Sequence, residues 1–124
     1  MSLVTQLLHA TVLVADLARA RAFYEGALEL TASPQRPPMT FDGVWYDLGA
    51  CQIHLMCLPN PEAGLQRPIH PGRDRHLALA VSDLDRLKTR LDSAGIACAL
   101  SLSGRRALFC RDPDDNALEF VEAT

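Results

Sequence analysis

Four side chains with metal-binding chemistry stand in short apolar segments typical of β-strands: His9, His54, His76 and Glu119. Imidazole nitrogens and carboxylate oxygens are the groups with which proteins hold Zn²⁺, Ni²⁺, Co²⁺, Mn²⁺ or Fe²⁺. Glu119 follows Leu118 and precedes Phe120, and an ionised carboxylate in such surroundings needs a cation or strong donors. We therefore predict that these residues bind one divalent metal ion, with positions open for water or substrate. Glu119 is also the candidate catalytic residue, because a carboxylate can move a proton beside a carbonyl group.

The spacing of these residues follows an internal repeat. Residues 7–17 read LLHATVLVADL and residues 74–84 read DRHLALAVSDL, so that His9 and His76 occupy equivalent positions 67 residues apart. His54 and Glu119 are nearly equivalent, at an offset of 65 residues. Pseudo-twofold symmetry would bring all four near one axis. For His54 an alternative role stays open, in which it hydrogen-bonds a ligand without touching the metal.

The elements around these residues repeat as well. Each histidine strand is followed by a residue that suits a helix N-cap, Asp16 in the first half and Ser82 or Asp83 in the second, and then by apolar residues at helical spacing. Three short strand-like runs follow each helix, the first of them near residues 29–32, which predicts a β-α-β-β-β module in each half. We expect one domain over residues 1–124, with a first module at 7–58, a proline-rich linker at 59–73 and a second module at 74–122.

Strand alternation places the histidines on one face of each module. In the first strand His9 and Thr11 share a face opposite Val12, and in the fifth strand His76 shares a face with Ala78. The bulkier faces should receive the helices. Small residues beside the histidines leave volume for a ligand.

Candidate substrate-binding residues are arginines near the predicted site, because guanidinium groups bind carboxylate or phosphate in a bidentate manner. Tyr46 and Trp45 are candidate pocket walls, with the alternative that one of them belongs to the core. The predicted substrate-binding set is Arg73, Arg75, Arg105, Arg106 and Tyr46.

Composition narrows the class of function. The net charge of −3 disfavours nucleic acid as a partner. No apolar stretch approaches the length of about 20 residues needed to span a bilayer, and Met1–Gln6 lacks the features of a signal peptide. We expect a cytoplasmic protein that acts on a small molecule, binds no membrane, and keeps its four cysteines reduced.

Three segments resemble the glyoxalase I / bleomycin-resistance / extradiol-dioxygenase superfamily, also called the vicinal oxygen chelate superfamily. They are LLHATVLVADLARARAFYEGALEL, DRHLALAVSDLDRLKTRL and LFCRDPDDNALEF. The resemblance implies an α+β fold in which two βαβββ modules form a cupped eight-stranded mixed sheet with helices on its outer face. It also implies a metal held by residues of the first and last strands of each module. Relatives are often homodimers, so the ligands can come from two chains.

The resemblance leaves several activities open. Glyoxalase I proteins usually carry a carboxylate where His54 stands, whereas fosfomycin-resistance transferases have His, His and Glu ligands. The serine-rich segment 101–107 fits the transferase pattern poorly, and extradiol dioxygenases tend to be longer. We favour a metal-dependent glyoxalase-like lyase or isomerase over a transferase or dioxygenase. The alternative from another class is a non-catalytic protein that binds an antibiotic or other small molecule.

Overall fold

The computed structural model describes residues 1–123, which form two β-sheets covered by helices. The helix of the first half continues from α-helical into π-helical geometry over Ala22–Ala27, and a 3₁₀ turn lies in the linker at Pro71–Arg73. The elements of the first half are β1 (His9–Leu13), α1 (Leu17–Arg21), β2 (Gly43–Leu48) and β3 (Cys51–Met56). Those of the second half are β4 (His76–Val81), α2 (Leu84–Ser93), β5 (Ala99–Leu100), β6 (Ala107–Arg111) and β7 (Ala117–Glu122).

The two sheets share one topology. The first has the order β1-β3-β2, with β1 parallel and β2 antiparallel to β3. The second has the order β4-β7-β6-β5, with β4 parallel and β6 antiparallel to β7. The expected α+β fold class is therefore confirmed. Residues 1–123 contain seven strands in sheets of three and four, because the run near 29–32 makes only one bridge, from Ala32 to Tyr46.

Both helices begin at the predicted aspartates. The carboxylate of Asp16 accepts a hydrogen bond from the Arg19 amide at 3.1 Å, and that of Asp83 accepts from the Arg86 amide at 2.9 Å. These bonds satisfy backbone donors that lack a partner inside the helix. Gly95 follows α2 with a φ of +73°, a conformation that glycine adopts at little cost.

The helix-facing sides of the two sheets share one hydrophobic core, which includes Val44, Leu55, Leu118 and Phe120. Polar contacts also join the halves. The Tyr24 hydroxyl donates to Asp112 at 2.6 Å, Arg90 donates to the carbonyl of Ala27 at 3.0 Å, and the Ala15 amide donates to Asp114 at 2.9 Å. The halves therefore pack through the helices and through the turn at residues 112–116, and their opposite faces are left for a site.

Within the described part of the chain, none of the helices has both the length and the apolar character required to cross a membrane.

Candidate metal centre

The first pair of predicted ligands lies on the face of the first sheet opposite the core. In the strand register, His54 on β3 lies beside Thr11 on β1 and beside Trp45 on β2. His9 lies two residues before Thr11, on the same face of β1. The His9 and His54 rings stack at 4.0 Å, and the indole of Trp45 stacks on the other face of His54 at 4.1 Å. Alternation in three neighbouring strands thus produces a row of three planar rings.

A hydrogen-bonded chain fixes the orientation of His54. The side-chain amide nitrogen of Gln52 donates to Asp47 at 2.8 Å, so the amide oxygen faces His54 Nε2, also at 2.8 Å. Because that oxygen can only accept, Nε2 carries the proton and Nδ1 holds the lone pair. Burial, with the neighbouring His9 and Arg36, lowers the pKa of His54. A neutral imidazole with a free Nδ1 suits a metal ligand.

The second pair lies on the corresponding face of the second sheet, where Ala78 and Glu119 are partners in register as Thr11 and His54 are in the first. His76 Nδ1 lies 2.9 Å from the carbonyl oxygen of Asp74, which can only accept a hydrogen bond. Nε2 is thereby directed at Glu119 Oε1, 3.2 Å away. Two ligands of one tetrahedral Zn²⁺, each at about 2.0 Å, lie roughly 3.3 Å apart. The spacing of this pair therefore fits a shared cation.

The Glu119 carboxylate is deeply buried, at 3% exposure, and has few partners. Its other oxygen accepts from Arg105 Nη2 at 2.6 Å, which partly balances the buried charge. Phe109 is its partner in register on β6, and the Phe109 ring meets that of His76 edge-on at 5.4 Å. An apolar wall thus stands beside the imidazole and carboxylate.

The four predicted ligands form two pairs in one chain. No group of three or more histidine, cysteine, aspartate or glutamate residues able to hold a metal occurs within residues 1–123. The donor set fits a divalent cation chemically, with three imidazoles and one carboxylate, but each half contributes only two of the donors.

The other predicted site residues are dispersed. Arg105 contacts Glu119, as described. Arg73 is exposed, Arg75 pairs with Glu62, and Arg106 pairs with Glu122 at 2.9 Å. Tyr46 lies on the opposite face of β2 from Trp45, is fully buried, and donates its hydroxyl to Glu25 at 2.8 Å. Its position in the core between sheet and helix does not support a role as a pocket wall.

Sequence reasoning missed two polar residues that act on the first pair. Gln52 lies two residues before His54 and on the same face, so strand alternation alone could have found it. Arg36 lies in the proline-rich segment 34–38, where no periodicity indicates the direction of a side chain. Only the folded chain brings it to the His54 side of the sheet.

The sequence model of the Glyoxalase/Bleomycin resistance protein/Dioxygenase superfamily matches residues 6–120. A protein of Arabidopsis thaliana named Glyoxylase I 4 is 25% identical over 120 residues, which cover 93% of this chain and 69% of that protein.

Two solved structures show the same fold. A glyoxalase family protein of Bacillus anthracis superposes with a TM-score of 0.78 at 22% identity, covering 100% of this chain and 99% of that one. TnmS3, an antibiotic binding protein of Streptomyces, superposes with a TM-score of 0.72 at 19% identity, covering 100% of both chains.

Proposed function

The chain belongs to the Glyoxalase/Bleomycin resistance protein/Dioxygenase superfamily, and we propose that it is a metal-dependent lyase or isomerase of the glyoxalase type. Its substrate is a small molecule chelated to the metal through two adjacent oxygens. The similarity to Glyoxylase I 4 supports this assignment over a dioxygenase or a fosfomycin-type transferase. We assign the ligand roles to His9, His54, His76 and Glu119.

The observation that carries the proposal is the arrangement of His76 and Glu119. The Asp74 carbonyl fixes the tautomer of His76 and directs Nε2 toward a buried carboxylate oxygen 3.2 Å away. Ligating histidines typically make such a bond from the ring nitrogen that does not bind the metal. An imidazole nitrogen and a carboxylate oxygen thus face each other at a separation that suits two ligands of one cation.

We propose that a second copy of the chain completes the site. One chain presents His9 with His54 and, separately, His76 with Glu119, and neither pair alone supplies the three protein ligands typical of a catalytic zinc. β1 and β4, which carry the two histidines, are both edge strands of their sheets. In a twofold dimer the first pair of one copy can face the second pair of the other.

The protein residues have distinct roles in this chemistry. A bound divalent cation supplies Lewis-acid polarisation of the substrate oxygens. Glu119 would hold the metal or, when detached from it, would accept a proton from the carbon beside a substrate carbonyl and return it, with its burial limiting the access of water. Arg105 donates a hydrogen bond to Glu119 at 2.6 Å and thereby orients that carboxylate.

The test is metal stoichiometry of the purified protein, with four single variants and one control. We expect one metal per chain in the wild type, and at least about a tenfold loss of affinity in H9A, H54A, H76A or E119A. H70A is the control, because His70 hydrogen-bonds the carbonyl of Leu100 and the amide of Gly72 and has no assigned ligand role. Metal content unaffected in H76A and E119A would overturn the proposal.

A binding protein without chemistry is the second candidate. The row of stacked rings at His9, His54 and Trp45 favours it, because such a row can bind a planar molecule without a metal. TnmS3 is an antibiotic binding protein with the same fold. Stoichiometric binding of a small molecule by chelator-treated protein, with no metal uptake and no turnover of 2-oxoaldehyde thiohemiacetals, would select this candidate.

A further inference from the structure

One arginine near the first histidine pair has no acidic partner. Among the basic residues of the described chain, residues 1–123, ten lie within 4.0 Å of a carboxylate and two, Arg36 and Arg73, do not. Arg73 is exposed, whereas Arg36 is half-buried. A half-buried guanidinium is incompletely solvated, so an anion that reached it would bind favourably.

The protein holds Arg36 in place but uses few of its donors. Nη2 donates to the Phe41 carbonyl at 2.7 Å, and the guanidinium carbon lies 5.6 Å from the centre of the Phe41 ring. One of the five N–H donors is thereby used, and the fork keeps further donors for a ligand. Prolines at positions 34, 37 and 38 restrict the backbone on both sides of Arg36, which reduces the entropic cost of holding it.

Arg36 opens onto a groove of about 620 Å³ on the same face as the histidines. This volume is within the range of small-molecule sites. The walls are largely apolar and aromatic, and they include Leu8, Met39, Phe41, Trp45 and His54. Asp47, bonded to Gln52, lies at the groove as its acidic group and disfavours a second negative charge on the ligand.

Trp45 ends the row of stacked rings beside this groove. Its ring is nearly parallel to that of His54, at an interplanar angle of 3°. β2 is the outer strand of the order β1-β3-β2, and within residues 1–123 its outer side makes a single bridge, from Tyr46 to Ala32, rather than pairing with a further strand. A flat apolar group in the groove can therefore extend the stack.

We propose that this groove is a subsite for a small aromatic anion, with its ring against Trp45 and its single negative group on Arg36. This inference rests on the proposed function in one respect, since it names the substrate class of the same centre as an aryl-substituted acid. The subsite itself needs no metal. Aromatic walls provide the ring contact, and the fork of Arg36 provides charge-assisted hydrogen bonds.

The test uses fluorescence of Trp45, which is the single tryptophan of the chain. Chelator-treated full-length protein is titrated with phenylacetate, with cyclohexylacetate to remove the aromatic ring, and with phenylacetamide to remove the charge. We expect saturable quenching by phenylacetate and at least roughly tenfold weaker binding of each analogue, about 1.4 kcal/mol.

Variants then assign the charge contact to Arg36. R36M should weaken phenylacetate binding at least tenfold, R36K should bind at an intermediate level because it keeps the charge but loses the fork, and K88M on the outer helix should match the wild type. Circular dichroism checks that each variant folds. If R36M destroys the fold, the contrast between R36K and wild type, with that between phenylacetate and phenylacetamide, decides the question.

The results of these titrations distinguish the proposed aromatic-anion subsite from the proposed metal-dependent function. Equal affinity of phenylacetate for wild type and folded R36M, or of phenylacetate and phenylacetamide for wild type, overturns the aromatic-anion subsite. Intact phenylacetate binding in a protein that takes up no metal leaves the subsite standing and overturns the metal-dependent function.

Discussion

Two buried carboxylates show how the surroundings of a single residue separate structure from function. Asp112 accepts hydrogen bonds from the Tyr24 hydroxyl, from the amides of Asp114 and Asn116, and from the Asn116 side chain. Its oxygens are fully engaged by the fold. Glu119 accepts from Arg105 and otherwise faces the directed nitrogen of His76. Glu119, which accepts fewer hydrogen bonds from the fold than Asp112, is the carboxylate that we assign to the metal.

The Tyr24–Asp112 contact gives a prediction about stability. Burial raises the pKa of Asp112, against the hydrogen bonds from Tyr24 and Asn116. Y24F removes a donor from this buried carboxylate, so we expect a loss of about 1–3 kcal/mol in the free energy of unfolding. Urea denaturation at neutral pH measures it.

Tyr46 provides the matched control for that experiment. It is as fully buried as Tyr24 and also donates to a carboxylate, but its partner Glu25 is 31% exposed and can turn to water. Y46F should therefore cost less than Y24F. Equal losses in the two variants would contradict the special role given to the buried Asp112 contact.

The hydrogen bonds of Asp74 predict how the free energy of unfolding depends on pH. Hydrogen bonds from Arg67 and Arg111, at 2.7 and 2.9 Å, hold the pKa of this carboxyl well below its ordinary value of 3.8, against the opposing effect of burial. Because the folded pKa is depressed, the contribution to stability is present above about pH 4 and declines as the pH falls further. Wild-type unfolding free energy should drop as the pH falls below about 4, and by less in D74N. D92N is the control, because Asp92 is 55% exposed and should leave the wild-type drop intact.

At the scale of elements, the strands and helix starts that could be predicted from the sequence are those whose residues follow a strong local pattern. Alternation in β1 and β4 placed His9 and His76 on the face away from the core, and Asp16 and Asp83 begin the helices as predicted. The strand predicted near residues 29–32 does not form as a regular element. Glu29 at its start takes a positive φ of 61°, and the segment makes a single bridge, at Ala32.

The sequence indicated which residues are candidates for the site, but not how they are arranged in space. Repeat spacing indicated both pairs, yet it could not say whether the pairs meet within one chain, because that depends on how the modules pack. The Asp74 carbonyl that directs His76 is a backbone group, which a residue pattern does not reveal. Arg36 was missed because prolines and turns fix its direction, and neither produces a period.

Substitutions at two glycines test the stability of the β2–β3 pairing and of the first helix. A β-carbon at Gly43 would collide with the carbonyl oxygen of Leu55 on β3 and would touch Arg36. G43A should therefore destabilise the β2–β3 pairing and weaken phenylacetate binding at Arg36. G26A is the control: a β-carbon there meets nothing within 4 Å, and alanine in a helix is favoured over glycine by about 0.5–1 kcal/mol. Thermal unfolding of both variants should show opposite shifts in Tm, and equal shifts would contradict the assigned collision.

At the scale of the whole molecule, the same packing that builds the core divides the site. Tyr24 with Asp112, and Arg86 with Glu29, tie the modules together through the helices and the turn at 112–116. In the part of the chain that the structure describes, the faces that carry the proposed ligand pairs end at the edge strands β1 and β4. We propose that a chain built this way completes its core alone but carries two half-sites, and that a twofold partner completes both at once.

The dimeric arrangement is testable by combining two defective chains. H9A damages the first pair and E119A the second, so each homodimer should lose both of its sites. In a heterodimer with shared sites, one site collects both substitutions and the other is intact, whereas sites formed within one chain would all stay defective. Coexpression of the two variants with different affinity tags isolates the heterodimer, and zinc uptake is measured by equilibrium dialysis. We expect about one zinc per heterodimer, against about two per wild-type dimer and about none in either mutant homodimer. A heterodimer without zinc, or failure to capture any heterodimer from a protein that is monomeric by light scattering, would contradict a site shared between two chains.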